Sequence, residues 1–150
     1  MENKDKSKED LLSELLLAHK YIADLEALKA SEERYRQIVE NANSIILLMD
    51  TKGDITFFNR FAQRFFGFRE GDVLGKNVIG TIVSEKDLSG SDLVSTIKDI
   101  VNNPEQHSAN ENENMRSNGE RVRILWTNKA IIGDDGNVKE ILCIGNSVTI

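Results

Sequence analysis

The sequence predicts an α+β fold: a five-stranded antiparallel sheet with helices gathered on one face, preceded by a long N-terminal amphipathic helix. Three observations carry this. From about Asp10 to Ala42 there is no Gly or Pro, and apolar residues recur at helical spacing. Beyond Ser44 the pattern changes to short strand-length runs divided by turn residues, two before a helical middle and three after it. Strands joined by tight turns pair antiparallel, and helices clustered between them collect on one side of the sheet.

The leading helix carries a seam. Leu11, Leu15, Ala18, Ile22 and Leu25 follow steps of 4, 3, 4 and 3 residues, the spacing that keeps one stripe against a partner helix. Continued, that register would bring Lys29 and Glu32 into the stripe, so it shifts to Leu28, Tyr35, Ile38 and Ala42. Such a slip locally changes the winding of a coiled coil. Leu11, Leu15, Ile22, Leu25 and Leu28 are the candidate dimer contacts. A helix folded back onto its own domain accounts for the same spacing without a partner.

"SIILLMD", residues 44–50, is a first strand, ended by the turn "DTKGD", and "ITFFN" returns as a second. "NRFAQRFFGF" is a short helix with Asn59 as its N-cap and Gly67 as its left-handed stop. "REGDVLGKNVIGTIV" is punctuated by glycine and holds only short helical turns. "SGSDLVSTIKDIVNNP" is a longer helix, capped by Ser89 or Ser91 and ended by Asn103-Pro104. Its apolar face is Leu93, Ile97, Ile100 and Val101. "ANENENMR" then turns at Asn118-Gly119 into "RVRILWTNKAII", and "GDDGN" turns into "VKEILCIGNSVTI".

"IILLM", "ILW" and "ILCI" are apolar at successive positions. Side chains alternate faces along a strand, so both faces of this sheet need cover. The short helices cover one. The leading helix, a second copy of the chain, or both must cover the other.

The stretch from "SEERYRQIVENANSIILLMD" through "GERVRILWTNKAIIGDDGNVKEILCIGNSVT" resembles the PAS domain family, over about Ser31 to Thr149. The resemblance rests on an ordered series: Asn59 at the start of the first short helix, the Phe66-Gly67-Phe68 bend, Leu74-Gly75-Lys76, Trp126-x-Asn128 and the Gly136 turn. It implies a sensory or relay module, of the kind found in histidine kinases, diguanylate cyclases and transcriptional regulators. It further implies a pocket between sheet and helices, holding a small molecule, a cofactor or nothing. Residues 1–30 are then a helical or coiled-coil linker and 31–150 the domain. In many members the last strand ends in Asp-Ile-Thr and leads to an output domain. Ser147-Val148-Thr149 stands there in this chain, so a cut at the outgoing linker is expected, with a hydroxyl in place of the carboxylate.

The candidate pocket residues are Phe61, Phe65, Ile97, Met115, Trp126, Asn128 and Cys143. Asn128 is the informative one, because a buried amide must find partners. It faces the pocket if Ile124, Trp126 and Asn128 share the inner side of their strand. A neighbouring backbone or a water would satisfy it equally well. The stretch "NENEN" is most simply a solvated strand edge that resists unwanted pairing.

The chain's own chemistry narrows the cofactors. The flavin-photosensor branch carries Gly-x-Asn followed by a reactive cysteine, whereas here Gly75-Lys76-Asn77 is followed by Val78, so photoactive flavin is disfavoured. Haem needs an axial ligand. His19 lies in the proposed coiled coil and His107 in a loop, so haem is disfavoured as well. No Cys/His pair has metal-ligand spacing, and no nucleophile triad or phosphate-cradling loop is present, which points away from an enzyme. A formal net charge of −6 speaks against nucleic acid, whose phosphates demand a basic face. No apolar run approaches the roughly 20 residues that span a bilayer. The single cysteine, Cys143, fits a reducing compartment, so the expected setting is cytoplasmic. A homodimer through the leading helix and the outer sheet face, with a small-molecule ligand, is one expectation. A ligand-free dimerisation module is the other.

Overall fold

The computed structural model describes residues 7–84, 89–103 and 108–148, with side chains for all of these but 89–93 and 108. His107, Pro104, Thr149 and the capping side chains of Ser89 and Ser91 therefore lie outside the described residues. The chain divides into two compact units, one up to Ile38 and one from Val39.

Helix α1 runs Lys8–Glu40 and has no buried residue. Leu11, Leu15, Ile22, Leu25 and Leu28 are all about half exposed or more. Leu12, Leu16 and Leu17 are exposed as well, so the apolar surface of this helix is wider than one stripe.

The second unit contains β1 (Ile45–Asp50), β2 (Ile55–Phe58), α2 (Arg60–Phe66), α3 (Glu70–Val73), α4 (Ser89–Asn102), β3 (Ser108–Met115), β4 (Arg121–Ile132) and β5 (Val138–Ser147). The strands form one sheet in the order β2-β1-β5-β4-β3. Every neighbouring pair is antiparallel. This is the expected α+β architecture.

The inner face is set by alternation. Ile45, Leu47 and Met49 of β1, Ile124, Trp126, Asn128 and Ala130 of β4, and Ile141 and Cys143 of β5 are buried. The intervening residues are half-buried or exposed, the period of two that a pleated strand imposes. On the outer face, Ile46 sits opposite Ile144 and Leu48 opposite Leu142, and Leu125 is 49% exposed. Apolar groups thus stand on both sides of the sheet.

Helix α2 begins where Asn59 Oδ1 accepts from the Ala62 amide and stops at Gly67, whose φ of 79° suits glycine. Its C-terminal end is latched to the β3–β4 hairpin. Ser117 N donates to the Phe66 carbonyl at 2.7 Å, Arg116 Nε donates to the Phe65 carbonyl at 2.6 Å, and the Arg116 guanidinium lies 4.6 Å from the Phe65 ring centre. Residues 75–78 run beside β2: Gly75 N donates to Ile55 O, Ile55 N to Lys76 O, and Val78 N to Gly53 O.

Candidate functional site

A cavity of about 30 Å³ lies against the inner face of the sheet, with room for about two water molecules. Leu47, Met49 and Cys143 line it from β1 and β5. Val78, Ile82 and Val83 line it from the segment that precedes α4, and Thr96 from α4 itself. The remaining wall is polar: Asn110, Asn112 and Asn114 of β3, with Trp126 and Asn128 of β4.

The asparagines reach the cavity because β3 alternates. In "NENEN" the asparagines occupy one face and Glu111 and Glu113 the other. The glutamates lie within ion-pair distance of Arg123, at 3.5 Å, and Arg121, at 2.9 Å. The stretch is indeed an edge, but only half of it is solvated. Inside, Asn128 Nδ2 donates to Asn110 Oδ1 at 2.7 Å. Trp126 Nε1 is shared between Asn112 Oδ1 at 3.1 Å and Asn114 Oδ1 at 3.0 Å. Asn114 Nδ2 donates to the Ile82 carbonyl at 3.3 Å, and Met115 N donates to the same oxygen at 2.8 Å. Those two bonds fasten the 78–83 segment over the cavity.

Trp126 has its position because Gly145 stands across from it. A Cβ on Gly145 would lie 2.7 Å from the indole ring. The Cys143 thiol is buried, and that burial pushes its pKa up to about 12, so it is a neutral apolar surface rather than a nucleophile.

Of the residues expected in the pocket, Trp126, Asn128 and Cys143 are on its wall and Phe61, Phe65, Ile97 and Met115 are not. Phe61 and Phe65 stack on each other, with centroids 6.2 Å apart, and pack against the core. Ile97 is buried in that core, one residue past the lining Thr96. Met115 is one residue out of phase with Asn114, and its contribution is the backbone bond to Ile82. Asn128 Nδ2 bonds the Asn110 side chain on the neighbouring strand. The residues missed were Leu47, Met49, Val78, Ile82, Val83, Thr96 and the three asparagines of β3. For the asparagines the signal was present, since a strict polar/charged alternation marks two unlike faces.

Among the described residues, no cluster of three or more His, Cys, Asp or Glu could hold a metal ion. Nor is any helix long and apolar enough to cross a membrane.

The model of the PAS fold matches residues 33–148. The chain belongs to the PAS family. Among curated proteins, the cyclic di-GMP phosphodiesterase PdeR of Escherichia coli is 34% identical over 55 residues, which are 37% of this chain and 8% of that protein. Among solved structures, the PAS domain of an HTR-like protein from Haloarcula marismortui is 19% identical, with a TM-score of 0.69, over 84% of this chain and 98% of that one. The PAS domain of the Cronobacter turicensis RpfR quorum-sensing receptor, in complex with BDSF, is 26% identical, with a TM-score of 0.60, over 74% of this chain and 99% of that one. PAS domains of this kind occur in signalling proteins.

The neighbours also correct one expectation. An RNA-binding light-oxygen-voltage receptor and the Rhodobacter sphaeroides LOV protein share the fold, at TM-scores of 0.66 and 0.62. These are the flavin-photosensor branch, which the reading of Val78 had set aside. The physical reason for the error is that a thiol is needed for the cysteinyl adduct, not for the fold or for non-covalent binding. The expectation that photoactive flavin is disfavoured therefore does not stand.

Proposed function

We propose that this PAS domain is the sensing or relay module of a larger signal-transduction protein of histidine kinase or diguanylate cyclase type. In this reading the domain spans residues 31–150, with 1–30 as a helical linker. It is cytoplasmic and non-catalytic itself, and a change in cavity occupancy passes to the terminal segments. The observation that carries the reading is the cavity itself, placed where a cross-strand amide network, the 78–83 segment and α4 all meet. A ligand there touches three elements at once, and it shifts their equilibrium by its differential affinity for two arrangements. The RpfR domain, a receptor holding BDSF on a similar fold, supports a small-molecule role. The chain pairs as a homodimer, through the exposed seam Leu11, Leu15, Ile22, Leu25 and Leu28 and through the apolar outer face around Ile46, Leu48, Leu142 and Ile144.

A second reading, a ligand-free interaction module, has a specific observation behind it: a cavity of about 30 Å³ is far below the roughly 300 Å³ of ordinary ligand pockets. Native mass spectrometry of the purified chain separates the two. A stoichiometric small molecule on the folded protein supports sensing. A bare protein that also takes up no added ligand supports the interaction module.

A further inference from the structure

The amides on the cavity wall are only partly used. Asn110 Oδ1 accepts from Asn128, while Asn112 Oδ1 and Asn114 Oδ1 share the indole N–H of Trp126. Asn114 Nδ2 is taken by the Ile82 carbonyl. Among the described residues this leaves Nδ2 of Asn110, Nδ2 of Asn112 and Oδ1 of Asn128 without a protein partner. All three atoms belong to residues that line the cavity, and none of them is sealed from it, so the wall offers two donor groups and one acceptor to whatever fills the cavity.

The electrostatics are equally selective. None of the lining residues is charged. The one ionisable group among them, the Cys143 thiol, has its pKa pushed up to about 12 by burial, so it too stays neutral at physiological pH. A charge brought against this wall would lose its hydration and meet no counter-charge, a penalty that amide dipoles offset poorly. The opposite wall, from Met49 to Val83, offers only hydrocarbon and thioether surface, and Met49 can change rotamer to admit a guest.

Resting on the reading of the cavity as a sensory site, we infer that it selects a small uncharged ligand. That ligand has a short apolar body and a compact head carrying both an acceptor and a donor, as a primary amide does. The head's acceptor faces Asn110 and Asn112, and its donor faces Asn128.

The test is a titration with four probes of equal length: butanamide, 1-butanol, butanoate and butylammonium. The single tryptophan gives one indole N–H resonance, which sits on the cavity wall and reports its occupancy. Butanamide is expected to shift that resonance with an affinity at least about tenfold above that of either ion, one hydrogen bond and one avoided charge burial being worth that much. Butanol is expected in between. Asn128→Leu, which removes the acceptor, is expected to erase the margin of butanamide over butanol. Butanoate or butylammonium binding as tightly as butanamide would overturn the ligand class and leave the sensory reading standing. No shift by any probe up to its solubility limit would overturn both. Should Asn128→Leu fail to fold, the comparison among the four probes on the natural chain still decides.

Discussion

The side-chain amide of Asn59 donates to the carbonyl oxygen of Val39 at 3.0 Å, tying the first turn of α2 to the last turn of α1. The same Nδ2 reaches the Ser44 carbonyl at 3.1 Å, and Oδ1 accepts from Ile46 N at 3.1 Å and Ala62 N at 3.0 Å. One fully buried residue thus holds together a helix end, a strand start and a helix start. An N-cap alone is worth about 1 kcal/mol. Asn59→Ala also takes the side-chain partner from the Ile46 N–H and from the Val39 and Ser44 carbonyls, and a buried polar group left unpaired costs about 1–3 kcal/mol. The expected loss in chemical denaturation is at least about 3 kcal/mol, and Asn59→Asp, which keeps the acceptor but not the donor, restores only part. A loss below about 1 kcal/mol in Asn59→Ala would show that Asn59 is no more than a cap.

Trp126 and Gly145 are a matched pair across β4 and β5. Gly145→Ala places a methyl group against the indole ring, with Ile124 at 2.9 Å on the other side. Overpacking of this kind costs about 1–3 kcal/mol. The strain falls on the Trp126 ring, so the variant is expected to lose its shared bond to Asn112 and Asn114 and to show a shifted tryptophan emission. Unchanged emission together with unchanged stability would mean that the sheet twists to absorb the methyl group.

Several of these relationships were legible in the chain. Asn59, Gly67, the Asn118-Gly119 turn and the Gly136 turn announce themselves because cap and turn geometry is local chemistry. The inner face of β4 follows once register is known, and the structure resolves that one-residue ambiguity in favour of Ile124, Trp126 and Asn128. The cavity was less legible. Val78, Ile82 and Val83 sit on irregular backbone, where no period exists to be read. Phe61 and Phe65 share a helical face, but that face meets its own partner and Arg116 rather than the cavity. Met115 shows how one step of register exchanges a lining side chain for a backbone latch.

Cys143 makes the domain sensitive to alkali. Burial pushes its pKa in the folded chain up to about 12, above that of a solvated thiol, so the unfolded chain releases this proton first. Stability from the neutral thiol is complete below about pH 9 and declines as pH rises toward 12, with a slope approaching about 1.4 kcal/mol per pH unit. Cys143→Val keeps the apolar contact and has no proton to lose. Its unfolding free energy between pH 9 and 11 is expected to fall less steeply than that of the natural chain. Parallel pH profiles for the two proteins would rule out the buried thiol as the source.

The last expectation concerns α1. Its seam residues are about half exposed or more along the whole row, and a second copy of the same seam is the occupant whose spacing fits by construction. Light scattering on a chain lacking residues 1–30 is expected to report a monomer, about 40% of the mass of the full-chain dimer because 30 of its 150 residues are gone. Leu15→Glu with Ile22→Glu does the same within the intact chain, because two charges in a seam lose their hydration in the paired state and not in the free one. The outer sheet face around Leu48 and Leu142 provides the control. If both altered chains keep the full oligomeric mass, pairing runs through that face alone and the seam takes no part.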